Sequence, residues 1–505
     1  MEVLIGERLT LEDLGAVAYT RRPVALAPAA GERVLRARAV VEELARSGRP
    51  VYGITTGVGG LADVPIPPEQ TVAMQANVVR SHAAGVGELL PPEAVRAMML
   101  LRAHGLALGY SGVRPETLHT LIAMLNAGIV PLIPSQGSVG ASGDLAPLAH
   151  LALAVMGEGQ VLTAAGGVRA AAEALREAGL QPVVLAAKEG VALINGTQMM
   201  TALGALALLR AEVAAKTADV TGAMSAEALL ALPAAFDADL HRVRPQEGQQ
   251  RSAANLRRLL AGSRLTRPAD RVQDAYALRC MPQVHGAARD GIAYARRVVE
   301  TEVNSATDNP LVFPEADKVV SGGNFHGQPV ALALDVLAIA VAALGTIAER
   351  RIDRLLNPQS SGLPPFLARA GGLHSGLMLA QYTAAALVAE NKVLAHPASV
   401  DSIPTSGNQE DHVSMGSIAA RKAARVVEHV EQVVGIEALC AAQALEFRGA
   451  EEASPAVRAV YRAVRQVIPP LERDRVLAGD LALARDLVRQ GILLQAAEEA
   501  VGPLE

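Results

Sequence analysis

The 505-residue sequence predicts a mainly α-helical protein, a bundle of long helices preceded by a smaller, glycine-punctuated N-terminal part. Three observations carry that prediction. Half of the residues are hydrophobic, yet only 2% are aromatic and Trp is absent. The interior must therefore be built from Ala, Leu, Val, Ile and Met, the side chains of helix-on-helix packing. Apolar runs over 190–215, 284–303, 330–355 and 376–394 all exceed the roughly 11-residue mean helix and suit long bundle helices. Glycine and proline, by contrast, crowd into two short stretches of the first 190 residues.

Taken in order, residues 32–47 read as an amphipathic helix with Val34, Leu35, Ala39, Val40 and Leu44 on one side and arginines opposite. VYGITTGVGG at 51–60 follows, and Gly53, Gly57, Gly59 and Gly60 mark it as a functional or mobile loop. Helical patterning resumes near Pro67. In PLIPSQGSVGASGDLAP at 131–147, three prolines and three glycines exclude a continuous helix. Long Ala/Leu-rich stretches dominate from Ala149 onward, and 454–505 is expected to form further helices. The β-compatible pieces 160–163 and 311–313 sit beside Gly or Pro and are expected as peripheral hairpins or connectors. A soft boundary near residue 190 divides 1–190, which carries the Tyr52 loop and the 141–143 tripeptide, from 191–505, the long-helix bundle and C-terminal helices. No fixed-period repeat is present.

Bulk charge narrows the function. A formal net charge of -5 offers no electrostatic footprint for nucleic acid or an anionic membrane, so a small molecule is the expected partner. Cys280 and Cys440 stand alone, outside any metal-ligand spacing, which excludes a disulfide framework and points to a reducing, cytoplasmic setting. No metal is expected. The opening MEVLIGERLTLEDL places Glu2, Glu7 and Arg8 where a signal peptide needs a basic start and an unbroken apolar stretch. The apolar run 330–348 is interrupted by Asp335 and followed by Glu349-Arg350-Arg351, so a buried core helix is expected there rather than a membrane span.

The sharpest local feature is Gly140-Ala141-Ser142-Gly143-Asp144. Gly143 has no Cβ, so its backbone nitrogen can be pressed toward the carbonyl carbon of Ala141 and close a five-membered ring. Loss of water from that ring and from the Ser142 side chain leaves a methylidene-imidazolone, an electrophile that no ordinary side chain provides. An isolated Ala-Ser-Gly is far more often a plain loop, so the reading depends on context.

That context consists of seven more segments: VYGITTGVG (51–59), SHAAGVG (81–87), KEGVALINGTQ (188–198), VQDAYALRC (272–280), TDNPLVF (307–313), GGNFHGQPVA (322–331) and SIPTSGNQEDHVSMG (402–416). With GSVGASGDLAPLAH (137–150), they closely resemble the aromatic amino acid ammonia-lyase family, in the family's order and over nearly the whole chain. The resemblance implies the ammonia-lyase/fumarase-aspartase-like helix bundle, a prosthetic ring formed autocatalytically from Ala141, Ser142 and Gly143 with no dissociable cofactor, and a homotetramer with shared active sites.

It also implies roles for single residues. Tyr52 matches the tyrosine that removes the β-proton, which requires the site to favour its ionised form, because a free phenol has a pKa near ~10. Tyr276 matches a second catalytic tyrosine. Asn195 and Gln273 match amides around the ring and the migrating amine, and Phe325 matches an aromatic beside them. Arg279, three residues from Tyr276 and so on the same side of a turn, suits the substrate carboxylate, which a guanidinium grips through two parallel hydrogen bonds.

Glu410 bears most on substrate choice. Family members acting on phenylalanine or tyrosine typically lack this acid, whereas those acting on histidine carry it. A carboxylate accepts from an imidazole N–H but is desolvated without compensation against a benzene ring. His82 points the same way less specifically, since tyrosine-selective relatives also carry a histidine there. Thr55, Val58, Met281 and His285 depart from common versions of the motifs without removing a catalytic group, and His285 reads as structural. The expected reaction is elimination of ammonia from L-histidine. Its rivals are the same ring chemistry on tyrosine or phenylalanine, an aminomutase outcome, a helical scaffold without chemistry, and a serine hydrolase, for which the final glycine of a GxSxG elbow is missing.

Overall fold

The computed structural model describes residues 2–266 and 272–505 and is mainly helical, as expected: twenty α-helices and four small sheets among the described residues. The long apolar runs lie in the helices Gln198–Ala228, Met281–Val303, Gln328–Leu356 and Met378–Leu394, and a further long helix, Gly416–Arg448, lies outside them. The amphipathic segment becomes Pro28–Ser47, which opens on a proline at its first turn and stops at Gly48 in the left-handed conformation. The last stretch forms Pro455–Val467, Ala478–Arg489 and Ile492–Val501. The two β-compatible pieces are short strands: Gln160–Leu162 lies between Val130–Pro131 and Val168–Ala170, and Leu311–Phe313 pairs antiparallel with Lys318–Val320.

One long run is not a single helix. The apolar stretch 190–215 breaks into Glu189–Ile194 and Gln198–Ala228, because Asn195 takes extended dihedrals and Gly196 sits at φ +146°. A Cβ at Gly196 would run into side chains of Arg102, Gln198 and Thr307, so only glycine fits the break. Hydrophobic periodicity is blind to such an interruption, since the apolar pattern continues on both sides of it.

The chain forms two compact units, each made of three stretches. The first comprises residues up to Leu206, Arg296–Asp335 and Pro397–Arg421; the second comprises Ala207–Ala295, Val336–His396 and Lys422–Glu505. This differs from the single boundary near residue 190. Helices of 29 to 33 residues are about 45–50 Å long, and three of them, with Met281–Val303, contribute residues to both units, so one cut along the sequence cannot separate them.

In the first unit, the helices Leu11–Thr20, Pro92–Ala107 and Pro115–Asn126 pack around Leu11, Leu14, Met98, Leu106, Leu118 and Leu121, all essentially inaccessible. Full burial of each such side chain is worth roughly 1.5–3 kcal/mol. The second unit is centred on residues 422–448, where Val426, Val430, Val433, Val434, Ile436 and Leu445 are all fully buried. Buried polar groups meet there: Glu437 accepts from Arg351 (2.5 Å), Thr221 (2.8 Å) and Ser225 (2.7 Å), and His285 Nδ1 lies 2.7 Å from Asp219. His285 is thus bonded inside the core, in keeping with a structural role. Gln328–Leu356 is long and apolar enough to cross a membrane, but 61% of its most apolar window is buried inside the molecule, the mark of a core helix. Both cysteines are free.

Candidate active site

A cavity of about 890 Å³ in the first unit is lined by Tyr52, His82, Ser142, Asn195 and Glu410, together with the glycine loop 57–60 and apolar residues such as Met74, Val78 and Leu145. Five residues singled out from separate segments of the sequence therefore meet in one place. Each is put there by identifiable local structure.

The tripeptide is held at a helix start. Asp144 precedes the helix Leu145–Val155, and its backbone N–H donates to Gly196 O at 2.7 Å. Gly143 lies at φ +71°, and a Cβ there would collide with the Gly196 carbonyl. From the other side, Met415 N donates to Val139 O (2.9 Å), Ser417 Oγ to Ser138 O (2.6 Å) and Ser414 Oγ to Gly140 O (3.3 Å). Ala141 packs with Val413 and Met415. The segment is thus clamped between the helix break at 195–197 and the residues entering Gly416–Arg448. This fits a ring closed within the tripeptide: the backbone of Gly143 occupies a space and a conformation denied to any larger residue.

Asn195 is 4% exposed. Its amide nitrogen faces Ser142 O at 3.0 Å and its amide oxygen faces the Asn309 N–H at 2.8 Å. The reverse orientation sets oxygen against oxygen and leaves only longer bonds, to Asp308 Oδ1 (3.4 Å) and Asn309 O (3.3 Å). The Asn195 backbone is fixed as well, because the buried Arg102 donates to Ala192 O (2.5 Å) and Asn195 O (2.9 Å) at the end of Glu189–Ile194. Burial lowers the Arg102 pKa to about 10, so it remains charged at neutral pH.

Tyr52 stands in the turn that opens the glycine loop. Its hydroxyl accepts from Gly59 N at 3.0 Å. Burial pushes the phenol above its ordinary value; the Gly59 N–H opposes that shift, and the carboxylates of Glu410 and Asp308 add to it. The ionised form expected of this tyrosine is therefore the minor one at neutral pH. The loop rests on the segment carrying Glu410, since Gly60 N donates to Ser406 Oγ at 3.0 Å. Glu410 accepts from Thr405 Oγ1 (3.0 Å) and from Ser142 Oγ (3.4 Å). Among the lining residues it is the sole carboxylate. His82 closes the helix Thr71–His82, and its Nδ1 lies 2.8 Å from Val78 O. Donation to that carbonyl places a hydrogen on Nδ1.

The remaining candidates do not line this cavity. Phe325 is half-buried in the first unit. Gln273, Tyr276 and Arg279 belong to the second unit, where Tyr276 is 70% exposed and the Arg279 guanidinium stacks over its ring at 4.7 Å. The expected same-side placement of these two residues is realised in the short helix Tyr276–Arg279.

Several functional neighbours carried no assigned role in the sequence. Asp144 is fully buried, accepts from Met200 N at 2.9 Å, and is pushed up to about 7 by burial. Lys188 and Asp308 form a buried ion pair at 2.5 Å behind Asn195. All three lie inside segments quoted above, but as ordinary acids and bases they gave no signal of burial.

A family model described as aromatic amino acid lyase matches residues 9–466. The chain is 60% identical to a histidine ammonia-lyase of Symbiobacterium thermophilum, covering 100% of this chain and 99% of that one. The crystal structure of histidine ammonia-lyase from Trypanosoma cruzi superimposes with a TM-score of 0.93 at 48% identity, covering 99% of this chain and 96% of that one. A tyrosine aminomutase from Streptomyces globisporus superimposes with a TM-score of 0.95 at 42% identity and full coverage of both chains.

Proposed function

The chain belongs to the aromatic amino acid lyase family, and from that premise we propose that it is a histidine ammonia-lyase, eliminating ammonia from L-histidine to leave trans-urocanate. The observation that carries the choice of substrate is Glu410: a lone carboxylate in an otherwise neutral or apolar lining, 3.4 Å from Ser142 Oγ. Facing an imidazole N–H it gains a charge-assisted hydrogen bond; facing a benzene or phenol ring edge it loses water without return.

A prosthetic ring formed from Ala141-Ser142-Gly143, held at its oxygen by Asn195, would supply an electrophilic methylidene carbon for the substrate amine. The chain's own residues do the rest. Asn195 donates to the Ser142 carbonyl oxygen, which becomes the ring's oxygen. Tyr52 removes the β-proton, and the Gly59 N–H steadies its phenolate. His82 and Glu410 hold the imidazole, with Arg279 on the carboxylate and Gln273, Tyr276 and Phe325 around the amine. Gln273, Tyr276 and Arg279 are not among the residues that line the cavity; in a homotetramer with shared sites, which the family resemblance implies, a neighbouring subunit would supply them. The free cysteines suit the cytoplasm.

Product analysis tests this reading. Pure protein incubated separately with L-histidine, L-tyrosine and L-phenylalanine should release urocanate and ammonia from histidine alone. Coumarate, cinnamate or a β-amino acid as the main product would transfer the chain to the tyrosine, phenylalanine or aminomutase branch. Glu410→Gln should lower kcat/KM for histidine by about 10- to 100-fold, the value of one hydrogen bond to a charged group, with much less effect on any residual activity toward phenylalanine.

A further inference from the structure

Behind Asn195 lies a buried charged pair that the catalytic scheme does not use. Lys188 is fully buried and Asp308 is 3% exposed. An ion pair in such a place costs desolvation that apolar residues of the same volume would avoid, so its presence asks for a reason other than stability. Its geometry supplies one. Lys188 Nζ bonds Asp308 Oδ2 at 2.5 Å, and Asp308 Oδ1 accepts the Asn309 N–H at 2.6 Å. That N–H is also 2.8 Å from the Asn195 amide oxygen, and the Asn195 amide nitrogen is 3.0 Å from Ser142 O. Lys188 and Asn195 further sit at the two ends of one short helix, Glu189–Ile194, with Lys188 at φ +75°. With the Asn195 amide nitrogen on Ser142 O, its oxygen is the atom 3.4 Å from Asp308 Oδ1; in the reversed amide the nitrogen takes that place and leaves Ser142. Released from the lysine, the Asp308 carboxylate repels that amide oxygen and favours the reversed amide, whose nitrogen faces Asp308 instead of Ser142.

We propose that Lys188 and Asp308 are positioning residues for maturation of the tripeptide: their ion pair keeps the Asn195 N–H aimed at the Ser142 carbonyl oxygen. The inference rests on the ring-forming reading above. Maturation forms a bond from Gly143 N to the Ala141 carbonyl carbon. The Ala141 oxygen leaves as water with the amide hydrogens of Ser142 and Gly143, which leaves a C=N bond to Ser142 N. A second water takes the Ser142 hydroxyl and the Ser142 Cα hydrogen, leaving a Cα=Cβ bond. Nothing is oxidised or reduced. As the Cα hydrogen departs, negative charge grows on the Ser142 carbonyl oxygen, and a preset donor at that oxygen is what accelerates such a step.

The test follows intact mass over time in full-length chains made by cell-free translation. Wild type should lose the mass of two waters. Lys188→Met, Asp308→Asn and the neutral double variant should lose it about tenfold or more slowly, the scale of a misaimed catalytic group, while circular dichroism and Tm of the double variant stay near wild type. Lys188→Arg, which keeps the cation, should recover most of the rate. A folded variant that matures at the wild-type rate overturns the proposal. So does failure of all three neutralised chains to fold, since the pair would then serve the fold alone. A wild-type chain that never loses two waters overturns the underlying ring reading instead.

Discussion

Ser142→Ala should abolish the near-ultraviolet absorbance of the ring, leave the chain at its full unmodified mass, and lower kcat by on the order of 10⁴-fold or more, the scale on which enzymes lose rate with their covalent group. The fold should not register the change. Ser142 Oγ makes one long bond, to Glu410 at 3.4 Å, whereas the neighbouring backbone is pinned by Gly196 O, Val139 O and Ser138 O. The matured protein has already lost that hydroxyl as water, so Ser142→Ala differs from it by an uncyclised tripeptide that the same backbone bonds hold in place. Helical circular dichroism and Tm therefore serve as controls. Substantial urocanate formation by a folded Ser142→Ala protein would refute the electrophile, whatever else in the site is right.

The second large effect is expected at Tyr52. Tyr52→Phe keeps the ring packed and removes only the hydroxyl that accepts from Gly59 N, so kcat should fall by about 10²- to 10⁴-fold with little change in KM or in the matured mass. The pH profile gives an independent readout. Burial holds the phenol above its ordinary pKa, and Glu410 and Asp308 raise it further. The base form is therefore scarce at neutral pH, and kcat/KM should rise as pH rises toward the folded-state value. That limb should vanish in Tyr52→Phe. Glu410→Gln removes one of the charges that raises Tyr52, so its limb should move to lower pH. A limb that persists in Tyr52→Phe would assign proton removal to another group.

Much of this site was legible in the sequence because its chemistry depends on residue types that few other roles require together. The tripeptide, the Tyr52 glycine loop, the histidine at 82, an asparagine after an apolar helix and an acid in a polar segment lie in separate stretches, and all five contribute to the lining of one cavity. The helical class was legible for a different reason: long Ala/Leu-rich runs with 2% aromatics leave few other ways to bury an interior.

The sequence by itself determined the helical class, which follows from composition, and the family resemblance of its ordered motifs, which singled out the tripeptide and the groups expected around it. Tertiary structure decided what depends on distance and dielectric. Only packing shows that the 190–215 run breaks at Gly196, because a glycine break leaves hydrophobic periodicity intact on both sides. Only packing buries Lys188, Asp308 and Asp144, residues whose type alone predicts exposure. It also raises rather than lowers the Tyr52 pKa, because desolvation outweighs the single N–H that favours the phenolate. And it leaves Tyr276 and Arg279 out of the lining of the cavity, which motif order along a sequence could not reveal.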